Sequence, residues 1–293
     1  MKFKSILSAA ALVTIAASAA HAVPLFPGLT LLEDDNREYL IKGANNTVPA
    51  LAGTLQVGDR LRGVIEFGKI EQIFGGGSVN PIVPELTGIF DTEVKFIQPI
   101  LDLGGNPTGL GNIVWGPTSS FMGNGVAGTA MVALYTGGTN LDLNSCASIA
   151  TCETAASDGS LWAVAGFGDA DDQWISANSV LDFGAVSGIG ASTKVAAVNY
   201  ALSILVNNTG YTFNEVKLDC FPLGPFNCAG PGKDKLTDLV GSGDVLGGEG
   251  LTNGFGARSD IDVKVNVVPE PGSLALLSLA LAGLGFVTRR RSV

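Results

Sequence analysis

Between its two ends the chain alternates apolar and polar positions in short runs. The clearest is Asp260-Ile261-Asp262-Val263-Lys264-Val265-Asn266-Val267, where charged and amide side chains alternate strictly with apolar ones. A period of two predicts a strand with one face on a core. Leu61 to Ile70 alternates less regularly and also predicts a strand, as do Leu86 to Phe90, Glu93 to Ile97, Met131 to Tyr135 and Leu161 to Phe167. Ala196 to Val206 is the longest apolar run. Its alanines suit a helix as well, but its place between turn clusters predicts a buried strand, closed by Asn207-Asn208-Thr209-Gly210. Asp234 to Leu239 predicts a short helix. The 40 glycines, clustered as in Gly75-Gly76-Gly77, Gly137-Gly138 and Gly247-Gly248, suit turns rather than helix interiors. No repeat of fixed period runs through the chain. The expected fold class is therefore all-β, a β-sandwich or jelly-roll domain with glycine-rich loops.

The two ends differ from this pattern. Lys2 and Lys4 precede an apolar stretch from Ser5 to Ala17, and Ala20-His21-Ala22 fits a small-residue cleavage site. Residues 1–22 therefore read as a secretory signal peptide, with Val23 as the new N-terminus. At the other end Val268-Pro269-Glu270-Pro271 leads into an apolar stretch, 274–287, and then Arg289-Arg290-Arg291. The stretch suits a helix somewhat short for a bilayer, with the arginines on the cytoplasmic side. The two prolines are expected to break any strand arriving from the domain. The chain thus divides into 1–22, an exported β domain 23–267 and a tail 268–293.

The tail resembles the PEP-CTERM sorting signal of Gram-negative bacteria. Pro269, Glu270 and Pro271 match its proline-acid-proline core, and Arg289, Arg290 and Arg291 match its basic end. The resemblance implies an exosortase-type processing enzyme as partner, transient residence in the inner membrane and delivery to the cell surface or outside, with the tail either cut or kept as an anchor. It also implies an association with exopolysaccharide, biofilm and floc formation. It covers the tail alone.

Composition narrows the chemistry of the exported part. Without the two ends, 12 Lys and Arg face 26 Asp and Glu, a net charge near −14. That argues against electrostatic binding to nucleic acid or to an anionic membrane surface. The only histidine, His21, lies in the signal peptide. The exported domain thus lacks the residue that serine-histidine triads and histidine-ligated metals require. Cys146, Cys152, Cys220 and Cys228 read as two disulfides in an oxidising compartment, with the local pairings Cys146–Cys152 and Cys220–Cys228 expected among the three arrangements. Gly230-Pro231-Gly232-Lys233-Asp234 lacks the spacing of a phosphate loop and reads as a surface loop.

Carboxylates and aromatic residues remain. Asp169, Asp171 and Asp172 are candidate calcium ligands, although the segment lacks a complete calcium-loop pattern and reads first as a solvated acidic turn. Glu33-Asp34-Asp35 is a second acidic cluster with the same reading. Trp115, Trp162, Trp174 and Tyr135 are candidates to stack on sugar rings. Trp162 reads as core, whereas Trp174, beside two acids and Gln173, is expected at a surface and is the candidate ligand contact. Asn45-Asn46-Thr47 and Asn207-Asn208-Thr209 read as turns. The expected function is a non-enzymatic surface or matrix protein with a structural or interaction role and no resident cofactor. The alternatives are a carbohydrate- or calcium-binding adhesin and a carboxylate-dependent glycan hydrolase, which needs only two acids at a set separation.

Overall fold

A computed structural model describes residues 23–50, 52–119, 121, 128–217 and 236–269. Cys220, Cys228, residues 1–22 and the tail from Glu270 onward lie outside them. Among the described residues the chain forms fifteen strands and two short helices. The strands are β1 (Gly28–Ile41), β2 (Pro49–Ala50), β3 (Arg60–Gln72), β4 (Ser78–Val79), β5 (Leu86–Leu101), β6 (Pro107–Pro117), β7 (Ala130–Thr136), β8 (Ser160–Gly166), β9 (Gln173–Val180), β10 (Lys194–Asn207), β11 (Tyr211–Asn214), β12 (Val216–Lys217), β13 (Leu236–Thr237), β14 (Leu239–Gly247) and β15 (Ala257–Pro269). The helices are α1 (Ile149–Ser157) and α2 (Phe183–Ser187).

The fold is all-β, and the expected sandwich or jelly roll gives way to a closed barrel. The long strand β5 pairs with β3 on one edge, and on the other with β7 through its first half and β6 through its second. Likewise β10 pairs with β14 on one edge and with β9 and then β8 on the other. β6 and β7 thus act as one interrupted stave, and so do β8 and β9. The staves then run β1, β3, β5, β6/β7, β8/β9, β10, β14 and β15, each antiparallel to the next, and β15 returns to β1. This is an eight-stave up-and-down meander. A sandwich or jelly roll would require connections that skip neighbours, and the main staves make none. The expected pair of strands at 86–90 and 93–97 is the single strand β5. The expected helix at 234–239 is not formed where described, because Leu236 and Thr237 form β13 and Leu239 opens β14.

Alternation sorts side chains between two cores. On β1, Leu32 and Leu40 face the barrel interior while Tyr39 and Ile41 face outward. The interior core includes Phe67, Leu86, Phe90, Trp115, Trp174, Tyr200, Leu202 and Val263. Burying each such side chain contributes roughly 1.5–3 kcal/mol. Val23, at the expected cleavage point, is fully buried in the same core. Trp174 corrects the expectation of a surface residue. It is 7% exposed, with its ring 4.5 Å from Tyr200 and 5.9 Å from Phe90, because position 174 falls on the inward side of β9. Interior glycines make room for this belt of rings. A Cβ on Gly241 would lie 2.0 Å from the Tyr200 ring, and one on Gly63 2.6 Å from Phe90.

The second core lies outside the barrel, where residues 137–159 fold back over β3, β5 and β7. Ser148 caps α1 reciprocally: its hydroxyl accepts from the Thr151 amide, and the Thr151 hydroxyl accepts from the Ser148 amide. Cys152 and Ala156 form the buried face of α1, and the Cys146–Cys152 disulfide ties its first turn to the preceding loop. At one end of the barrel, α2 places Phe183 and Val186 into the interior core. At the other, β15 continues through Val268 and Pro269, where β11 pairs with it. The strand therefore reaches two residues past the boundary expected at Val267, with Pro269 at its last position.

Candidate functional site

The outward faces of β1, β3 and β5 carry a polar row set by register. Tyr39 is opposite Arg62, and Arg62 is opposite Asp91. Cross-strand partners stand close enough to bond side chain to side chain. Glu153, on the inner side of α1, completes the row. Its Oε1 accepts from Tyr39 Oη at 2.6 Å and Arg62 Nε at 2.6 Å, and its Oε2 accepts from Arg62 Nη2 at 3.2 Å. Asp91, fully buried, accepts from Arg62 Nη1 at 3.3 Å, from Arg60 Nε at 3.0 Å and from Arg60 Nη2. Burial raises the Asp91 carboxyl, and the two arginines oppose that rise. Burial alone would lower Arg62, but Glu153, Tyr39 and Asp91 outweigh it and hold the guanidinium above its usual range. Burial raises the Tyr39 phenol, so Tyr39 acts as a donor.

Beside this row opens a cleft of about 370 Å³, between α1 and the barrel wall. Arg62, Glu153, Thr154 and Ser157 supply polar groups, while Ile89, Ala133, Tyr135 and Phe121 supply an apolar and aromatic floor. The volume falls in the range of small-ligand sites, and the exposed lining is slightly more polar than apolar. Arg62 and Glu153 neutralise each other, so the described wall favours a neutral polar ligand over an ion. Glu153 is the one carboxylate among the described lining residues, and Asp91 lies behind Arg62 with no exposure. Two acids facing across the cleft are thus not found among the described residues. Of the residues singled out from sequence, the cleft contains Tyr135 alone. Arg60, Arg62, Asp91 and Glu153 were missed, although the alternation Arg60-Leu61-Arg62 does mark two outward charges on one strand.

The Asp169–Asp172 loop interrupts the β8/β9 stave. Asp172 Oδ2 accepts from the amides of Gly168 and Asp169 and from Ser203 Oγ at 2.8 Å. Asp169 accepts from the Asp171 amide, and Asp171 from the Leu236 amide. These carboxylates are engaged in shaping the loop, and no cluster of three or more His, Cys, Asp or Glu side chains suited to a metal ion is found among the described residues.

The Glu33–Asp35 cluster splits across the barrel wall. Asp35 is exposed, whereas Asp34 is buried inside, accepting from the Ile261 amide at 2.9 Å and from Asn36. Asn36 also donates to Ser259, and Ser259 donates to Glu38. Glu38 Oε2 and Ser179 Oγ have no hydrogen-bond partner among the described residues, and both residues line a small pocket of about 40 Å³. That space suits a water molecule. Burial pushes Glu38 up to about 7 and raises Asp34 as well.

Residues 267–291 match the PEP-CTERM protein-sorting motif. The motif marks an exported protein that an exosortase sorts to the cell envelope or surface. No curated protein and no solved structure significantly matches the chain. Among the described residues no helix is long and apolar enough to cross a membrane, and the stretch 274–287 lies outside them.

Proposed function

We propose that the barrel is a non-catalytic interaction domain, delivered to the cell surface or matrix, where it takes part in exopolysaccharide-linked biofilm or floc formation. The sorting motif at 267–291 is the observation that carries this reading. In transit the apolar stretch 274–287 enters the inner membrane, with Arg289, Arg290 and Arg291 on the cytoplasmic side. The contact with polysaccharide is made in the cleft beneath α1. A sugar ring has apolar faces and a rim of hydroxyls, and the cleft pairs an aromatic and aliphatic floor with the Arg62–Glu153 pair at its wall. A neutral, hydroxyl-rich ligand also avoids the repulsion that an acidic domain imposes on anions. The absence of histidine from the exported part and the single carboxylate among the described lining residues support binding without hydrolysis.

The test is titration of the purified exported protein with exopolysaccharide from its native host. Saturable binding that Arg62→Ala weakens while the fold is retained supports the reading. Absence of binding, or release of shortened glycan, overturns it.

A further inference from the structure

The strand directions place the tail's exit at a defined end of the barrel. β15 ends at Pro269, beside the start of β1, where Gly28 is opposite Val267. On the other edge of β1, Thr30 is opposite Gln72, and the Ile73 amide donates to Leu29 O at 3.0 Å. The β3–β4 turn therefore stands two strand spacings from the exit point, roughly 10 Å. Its tip carries Phe74, 79% exposed, next to Ile73 at 36%, and the following connection to β5 carries Val83 at 72%. β11 pairs with Asn266–Pro269 along the edge that β14 leaves open beyond Leu239, so the first proline of the sorting motif is held in the sheet.

Only residues 270–273 separate Pro269 from the apolar stretch beginning at Leu274. Fully extended, that connection spans at most about 17 Å. A tail inserted in a bilayer thus holds this end of the barrel within about 17 Å of the lipid. Apolar exposure alone does not select this end, since Leu101 and Leu103 on the β5–β6 connection at the opposite end are also exposed. The short tether selects it.

We propose that the barrel end bearing Ile73, Phe74 and Val83 is a membrane-seating surface, which rests on the lipid interface and presents the sorting motif to its processing enzyme at a set distance from the bilayer. Bulky apolar side chains at such an end enter the headgroup region, and a rigid strand up to Pro269 fixes the height of the motif above the bilayer. This inference rests on the proposed entry of 274–287 into the membrane.

The full chain without its signal peptide is reconstituted into phosphatidylcholine vesicles whose acyl chains are brominated near the headgroup. Phe74→Trp and Leu103→Trp place exposed reporters at opposite ends, with position 103 the more accessible in the free protein, against native tryptophans that are buried. The expected result is co-flotation of both variants with the vesicles and loss of most of the added emission for Phe74→Trp alone. Co-flotation without quenching at position 74 overturns the seating surface and leaves the membrane-inserted tail standing. Failure to co-float overturns both. Equal quenching of the two reporters overturns the proposal by showing that the barrel has no preferred end.

Discussion

The Tyr200 ring lies flat against Gly241 on the neighbouring strand, where the two positions are direct register partners. A Cβ at 241 would fall 2.0 Å from Tyr200 Cζ, closer than side chains tolerate. Tyr200 in turn packs on Trp174 and is wedged inside a closed barrel. Gly241→Ala is therefore expected to destabilise the fold by about 2–3 kcal/mol through overpacking. Adding Tyr200→Leu should recover part of that loss. Urea unfolding of the single and double variants measures both, and additive losses would show that the two positions do not interact.

Glu38 makes stability fall as pH rises. The folded barrel holds its proton up to about 7, whereas the ordinary value is 4.5. Between those values the folded state binds more protons than the unfolded chain. The contribution is complete below the lower value and is lost as pH rises through the upper one, amounting to about 3 kcal/mol. Asp34, raised by the same burial, acts in the same direction. Glu38→Gln should flatten the decline in Tm between about pH 5 and about pH 8. An unchanged slope would assign the pH dependence to other groups.

Arg60 and Asp91 form a pair with 3% and 0% side-chain exposure. Arg60→Met leaves the Asp91 charge inside with Arg62 as its remaining cation, at an expected cost of about 3–5 kcal/mol. Replacing both, as Arg60→Met with Asp91→Leu, should cost much less, because no orphaned charge remains. A denaturation midpoint for each variant decides the point.

The Cys146–Cys152 bridge closes a short loop, with a sequence separation of 6. Replacing both cysteines by serine should cost about 2 kcal/mol through the freed unfolded chain. Hydrogen exchange should speed up first in α1, since the bridge fixes its opening turn and α1 forms one wall of the cleft.

Sorting has its own readout in the intact mass of protein recovered from the outer fraction and medium of the native host. A chain beginning at Val23 and ending just beyond Pro269 is expected, since the strand protects residues up to that point. A mass that extends through Val293 would mean that the tail is retained as an anchor.

The alternation of single strands was open to reading from the chain alone. Asp260 to Val267 lies within β15, Leu61 to Ile70 within β3 and Ala196 to Val206 within β10. The sorting motif was equally legible, because an address is read along the chain and needs no partner in space. Period two says which residues share a face, but not which strand comes next. Closure of the barrel rests on β3 meeting β5, β15 meeting β1, and both halves of two interrupted staves meeting the same neighbours. Those are choices of register between distant segments. The same choices brought Trp174 inside, divided Glu33–Asp35 between solvent and interior, and aligned Tyr39, Arg62 and Asp91 beneath Glu153. A polar side chain looks alike in sequence whether water or a buried partner satisfies it, so only the tertiary structure, by fixing what lies opposite each position, decided where the charges went.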